Sequence, residues 1–331
     1  MKSINIEYSN CNLEIYFKNG LMKEINSLID LNKKYFIITD EVVYKLYKDI
    51  IKIPNSKILV LPSGEEYKNL DSVNYIIDKM LENDITKGDI IINLGGGVIS
   101  DLGGFVASIY KRGMDYYNIP TTLLSQVDAS IGGKTGVDFL SDGKVFKNQI
   151  GRIHHPRKVF IDPIFLDTLS QDEYLSGIGE IIKYGLCYDK ELFNILKGDF
   201  DLNEVIYKCI NIKANITKID EFEEDFRATL NYGHTIGHAV EAINNYKIPH
   251  GICVLYGMIE ETNDSKIKEE LFTLKNKFAI YFDFDINKDE LKDYILKDKK
   301  IKNGYIFLPV LEEIGKVVVK KVKIDDYLGG L

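Results

Sequence analysis

Apolar residues follow two different spacings along this chain. Tyr35 to Thr39 (YFIIT), Lys57 to Leu61 (KILVL) and Asp89 to Leu94 (DIIINL) are short, β-branched apolar runs that predict buried parallel strands. Each ends in a polar or glycine-rich turn. Between the second and third, residues Asn69 to Asn83 place Leu70, Val73, Ile76, Ile77, Met80 and Leu81 at helical spacing, a face that would cover one side of a sheet. Strand, covering helix and strand in that order predict a doubly wound α/β domain. From about Leu166 onward glutamate, lysine and isoleucine dominate and helical periodicity recurs. Strand-like runs are confined there to Tyr305 to Leu308 and Lys316 to Val319, so the second domain is predicted to be mainly α-helical. Proline after a strand stops both kinds of element, which puts the junction at Asp162-Pro163 and the domains at residues 1–163 and 164–331.

Composition narrows the class. With 331 residues, 45% of them hydrophobic and 28% charged, the chain can bury a large core in two domains. The formal net charge of -8 and the lack of a basic tract argue against a nucleic-acid partner. Cys11, Cys187, Cys209 and Cys253 are scattered without a CxxC spacing, as expected of free thiols in a reducing compartment. No apolar N-terminal leader and no run of membrane-spanning length stands out, so the expected location is cytoplasmic, with no membrane partner.

Two glycine-rich turns and a histidine cluster carry the candidate chemistry. Gly95-Gly96-Gly97-Val98-Ile99-Ser100-Asp101 follows a predicted strand and opens a predicted helix, where main-chain amides can face a phosphate. It is not the GxGxxG fingerprint, and such a turn by itself is more often only tight. Asp40, at an earlier strand end, suits a ribose hydroxyl or, equally, a helix N-cap. Val127 to Gly136 (VDASIGGKTG) presents Lys134 on a loop too rich in glycine to be built for stability. Three of the five histidines, His234, His238 and His250, fall within seventeen residues. On a helix, His234 and His238 share a face, an arrangement that suits a common metal or anion. One such histidine alone would read as a buried core residue; an i, i+4 pair flanked by glycines and followed by a third reads as a polar site.

Taken together, GGGVISDLGGF, YKRG (110–113), IPTTLLSQVDASIGGKTGVD (119–138), KNQIG (147–151), SGIGEIIKYG (176–185), NYGHTIGHAVE (231–241) and the HG of His250 closely resemble the 3-dehydroquinate synthase family. The resemblance runs in order from about Thr39 to Lys300. It implies a Rossmann-like N-terminal NAD-binding domain before a helical metal-binding domain. The implied reaction turns 3-deoxy-D-arabino-heptulosonate 7-phosphate into 3-dehydroquinate and phosphate, with bound NAD and a divalent metal, zinc or cobalt. It implies metal ligands Glu180, His234 and His250, with His238 beside the substrate phosphate, although spacing alone suggests His234 and His238 as ligands. For the substrate it implies Lys134, Lys183, Lys213, Arg227, Asp128, Asn148 and Asn231, and Arg112 acting across a homodimer interface. For NAD it implies Asp40, Glu65, Lys68, Gly96, Gly97, Val98, Asp101, Thr121, Thr122, Lys147 and Thr168.

The chain departs from the family pattern in three places. The passage from Asp138 to Asn148 is longer than usual, which leaves Lys144 and Lys147 as rivals; Lys147 is preferred for its adjacency to Asn148. Ser100 stands where glycine is usual, which tests whether that turn needs positive φ. The stretch from Gly257 to Lys299 is short by about a helix, so the choice between Lys299 and Lys300 stays open. The competing readings are a sugar-phosphate cyclase of the inosose or valiolone type, a metal-dependent NAD alcohol or glycerol-phosphate dehydrogenase, and a binding protein without catalysis.

Overall fold

The computed structural model describes residues 1–282, 284, 286–296 and 301–330. It divides into two compact units, Met1–Leu169 and Ser170–Leu331. The expected break at Asp162-Pro163 falls one short segment earlier. A 3-10 turn, Pro163–Thr168, stays with the first unit because Phe165 packs into its core, while the Asp162 carboxylate accepts from the amides of Gly20 and Met22.

The first unit holds strands β1 (Lys2–Glu7), β2 (Asn12–Phe17), β3 (Tyr35–Asp40), β4 (Ser56–Leu61), β5 (Ile90–Gly95), β6 (Tyr116–Pro120), β7 (Lys134–Ser141), β8 (Lys144–Ile153) and β9 (Lys158–Ile161), and helices α1 (Glu41–Tyr47), α2 (Leu70–Glu82) and α3 (Gly97–Ile109). Seven strands form one sheet in the order β1-β2-β9-β6-β5-β3-β4, parallel except for the β1–β2 hairpin. Alternate side chains of β3 serve opposite faces: Phe36 and Ile38 pack with α2 and α3, Tyr35 and Ile37 with Val43 and Tyr47 of α1. Both faces are therefore covered, as a parallel sheet requires. In α2, Val73, Ile76 and Met80 are buried as expected, but Leu81 is 57% exposed because it falls at the margin of that stripe. The order in which the chain adds strands reverses between β3 and β5, which places Asp40 and the Gly95–Gly97 turn at neighbouring strand ends. Such a switch point is where open α/β sheets bind ligands.

The second unit contains α4 (Gln171–Tyr188), α5 (Lys190–Ile195), α6 (Leu202–Ile219), α7 (His234–Ile243), α8 (His250–Glu261), α9 (Ser265–Lys277), α10 (Lys288–Leu296) and α11 (Ile324–Gly329), with an antiparallel sheet of β10 (Ile301–Lys302), β11 (Tyr305–Glu313) and β12 (Lys316–Lys323). The tail sheet supports the histidine helix: Ile306 and Leu308 share a core with Ile236, Ala239 and Val240 of α7 and Cys253 of α8. Lys299 and Lys300 lie outside the described residues.

Candidate active site

In the first unit, helix α3 begins at Gly96 with no side-chain cap, so its leading amides, those of Gly97 and Val98 included, keep the positive end of the helix dipole available. Gly95, Gly96 and Gly97 do not have positive φ, and Ser100 sits inside α3, so Ser100 imposes no strain. Gly95, Gly96 and, further along the helix, Gly103 serve close approach instead. A Cβ on Gly95 would lie 2.7 Å from Ile99, one on Gly96 3.0 Å from the Thr122 methyl, and one on Gly103 1.8 Å from Asn93 Oδ1. Thr121 donates its amide to Gly95, and the Thr122 hydroxyl accepts from Ser125.

Asp40 is the N-cap of α1: its Oδ1 accepts from the amides of Val42 and Val43 and from the Ser63 hydroxyl, each at 2.9 Å. All three bonds fall on one oxygen, which leaves Oδ2 able to meet a hydroxyl. The Thr168 hydroxyl bonds to Tyr47. Lys68 is buried against Asp101 at 2.6 Å. Burial pulls the Lys68 ammonium down, but the Asp101 and Glu65 carboxylates outweigh it and hold its pKa above the usual lysine value. Lys147 pairs with Glu65 at 2.9 Å, whereas Lys144 is exposed. Next to Lys147, the Asn148 amide donates to Asp138 at 2.8 Å.

Asp128 lies on a π-helical turn, Ser125–Ala129, and Lys134 opens β7 after Gly132 and Gly133. There the backbone is left-handed (φ 98° and 67°), so the glycines are needed for conformation. Arg112 is exposed on the turn after α3, where Lys111 and Arg112 are both left-handed (φ 48° and 64°), a geometry that costs about 1 kcal/mol or more per residue.

In the second unit, glycines let three helices meet at backbone contact. A Cβ on Gly179 of α4 would lie 2.1 Å from the Gly251 carbonyl oxygen of α8, and one on Gly257 of α8 would lie 2.0 Å from that of Gly233. Each contact flanks a histidine or Glu180 in sequence, and the donors converge. His234 Nε2 is 3.6 Å and His250 Nε2 3.4 Å from Glu180 Oε1. One ring nitrogen from each of His234, His238 and His250 lies within 4.8 Å of the others. His234 Nδ1 bonds to the Tyr232 carbonyl and His250 Nδ1 to Glu241 Oε1, each of which turns Nε2 toward the cluster. Burial, then the neighbouring Lys183, His238 and His250, depress His234 well below the usual imidazole range. Burial also opposes charge on His250, but the Glu241 and Glu180 carboxylates prevail and raise it to about 10.

One buried cation adjoins these groups, and two more are buried in the same unit. Lys183, one turn after Glu180, is buried and ion-paired with it, and Lys213 of α6 is buried. Arg227 is fully buried; it donates Nη1–H to the Glu221 carbonyl at 2.7 Å and its own amide to Asp220. Asn231 Nδ2 donates to Glu223 at 3.2 Å. Glu241 and the helix-crossing glycines belong to this site but were not singled out from the sequence. The signal for Glu241 was present, since it follows His234 by seven residues and so shares its helix face.

An uncapped glycine turn at a sheet switch point and a buried Glu–His cluster together define a nucleotide- and metal-type α/β enzyme class. Comparisons with known proteins then narrow it. The family described as 3-dehydroquinate synthase N-terminal matches residues 58–176, and 3-dehydroquinate synthase C-terminal matches residues 177–301. The 3-dehydroquinate synthase of Clostridium acetobutylicum is 38% identical over 350 residues, covering 98% of this chain and 97% of that one. A 2-deoxy-scyllo-inosose synthase structure with carbaglucose-6-phosphate, NAD+ and Co2+ has TM-score 0.87 at 22% identity, covering 99% and 98% of the two chains. A 2-epi-5-epi-valiolone synthase from Streptomyces hygroscopicus with NAD+ and Zn2+ has TM-score 0.86 at 21%, covering 100% and 98%. The chain belongs to the 3-dehydroquinate synthase family.

Proposed function

We propose that this protein converts 3-deoxy-D-arabino-heptulosonate 7-phosphate to 3-dehydroquinate and phosphate, the second step of the shikimate pathway and a net carbon–oxygen lyase reaction. The observation that carries the proposal is the convergence of Glu180, His234 and His250 beside a buried lysine, in a chain 38% identical to a 3-dehydroquinate synthase over nearly its full length.

The residues present fit the two groups that the family implies. A buried carboxylate facing the imidazoles of His234 and His250 is a donor set suited to zinc or cobalt, with Glu180, His234 and His250 as ligands. The uncapped start of α3 at Gly96, Gly97 and Val98 suits a pyrophosphate. Asp40, Glu65, Lys68, Asp101, Thr121, Thr122, Lys147 and Thr168 complete the NAD set. When bound, NAD would supply a reversible hydride acceptor, and the metal a Lewis acid for the oxygen on the carbon that is oxidised.

The protein's own side chains bind and orient. Lys134, Lys183, Lys213 and Arg227 answer the substrate carboxylate and phosphate, which a molecule of net charge -8 would otherwise repel. His238 hydrogen-bonds the phosphate, holding an oxygen where it takes the proton that elimination requires. Asp128, Asn148 and Asn231 position substrate hydroxyls or the cations. We further propose a cytoplasmic homodimer in which Arg112 serves the neighbouring subunit's phosphate; among the described residues no helix is long and apolar enough to cross a membrane.

Incubating the protein with the heptulosonate phosphate, NAD and zinc is expected to release phosphate stoichiometrically while the NADH absorbance returns to baseline. Stoichiometric growth of that band would move the protein to the dehydrogenases, and absence of phosphate release would reject the proposal.

A further inference from the structure

We infer that Glu241 is a positioning residue for the histidine cluster, fixing His250 so that Nε2 faces Glu180; the inference rests on the metal reading above. Glu241 lies on α7 two turns after His234, so one helix carries both a donor and the group that orients a donor on α8. Its side chain is only 9% exposed, and Oε1 stands 3.0 Å from His250 Nδ1. A buried carboxylate needs a donor, and the imidazole Nδ1–H provides one. That bond fixes the ring's rotation and turns Nε2 toward Glu180 Oε1, 3.4 Å away.

The placement is mechanically firm. Gly251, next to His250, packs so closely on α4 that a Cβ there would lie 1.8 Å from the Ser176 carbonyl oxygen, and its amide donates to Ser176 Oγ at 3.1 Å. The backbone of His250 is thus held by α4 and its ring by α7. Removing Glu241 frees the ring's rotation while the backbone anchor stays.

The test measures zinc affinity by competition with a chromophoric chelator in the full-length protein and in Glu241→Gln and Glu241→Ala, with the visible absorption of the Co2+-loaded proteins as a second readout. Losses of a carboxylate behind a metal-bound histidine run to about 10–100-fold in affinity. Glu241→Gln, which keeps volume and an acceptor oxygen, is expected near the lower figure and Glu241→Ala near the upper, each with an altered Co2+ band. Unchanged zinc affinity and an unchanged Co2+ spectrum in Glu241→Gln and Glu241→Ala overturn the inference. If the alanine protein does not fold, an unchanged glutamine variant alone overturns it. Absence of zinc binding by the unsubstituted protein overturns instead the metal reading beneath it.

Discussion

His238 and His250 stand almost equally far from His234, with ring centroids 5.1 and 5.3 Å away, yet their surroundings differ. His250 faces Glu180 through one nitrogen and Glu241 through the other, while His238 is exposed. Metal analysis of purified variants is therefore expected to find His250→Ala and Glu180→Ala metal-free, and His238→Ala metal-replete but inactive. A metal-free His238→Ala beside a metal-replete His250→Ala would reverse the roles. Asp220 offers a separate test on the loop that carries Arg227. Burial raises its pKa, but backbone amides from Arg227, Asp225 and Glu224 outweigh that and hold it below the usual carboxylate range. A depressed carboxylate stabilises the fold above its unfolded pKa of about 3.9 and loses that contribution as pH falls through the folded value. Because solvent screens a carboxylate that is only partly buried, Asp220→Asn should cost no more than about 1 kcal/mol at neutral pH and progressively less below pH ~4, as read from urea unfolding on either side of that pH. A gap that is constant with pH would remove the carboxylate from this role.

Helix crossings set the site at the next scale. Gly251→Ala forces a Cβ to within 1.8 Å of the Ser176 carbonyl oxygen, so α8 must shift away from α4. The expected cost is about 1–3 kcal/mol in unfolding free energy, with weakened zinc binding because His250 moves with its neighbour. Wild-type stability and zinc affinity in that variant would show that the crossing is pliable. These crossings were not legible beforehand: a glycine beside a histidine shows freedom of the backbone, while the helix that fills the space comes from elsewhere in the chain. The strands at 35–40 and 90–95 were legible because burial on both faces makes them continuous apolar runs, and the edge strand at 56–61, buried only at Leu59 and Leu61, because its run is apolar and partly β-branched all the same. The β7–β8 hairpin was not read as strands, since Phe139, Leu140, Val145 and Phe146 point to solvent and blur any inside–outside alternation. Its one clear signal was Asp142-Gly143, both left-handed (φ 49° and 73°), the pair that a two-residue hairpin turn prefers. Asp40 was legible only as an ambiguity, and it is indeed a helix cap whose second oxygen is still available.

On the scale of the whole molecule, the units divide the chemistry: the sheet unit carries the uncapped glycine turn, and the helical unit carries the carboxylate, the histidines and three buried cations. Arg112 belongs to the first unit, on the turn after α3. It is exposed on a turn that buries Tyr110 but leaves its two consecutive left-handed, non-glycine residues, Lys111 and Arg112, facing solvent at a cost in free energy. An exposed arginine held at such a cost suits a ligand supplied by association of two subunits, and its planar fork suits a phosphate. Arg112→Ala and Lys134→Ala are each expected to lose about tenfold or more in kcat/KM, the worth of a hydrogen bond to a charged group. Mixing the two weakened proteins should then restore phosphate release. If Arg112 serves the other subunit, each hybrid dimer has one site with both cations and one with neither, so random reassortment returns roughly a quarter of wild-type activity. Native mass spectrometry of the mixture establishes that hybrids have formed. Hybrids present without any gain in phosphate release would place Arg112 in its own chain's chemistry or outside the reaction altogether.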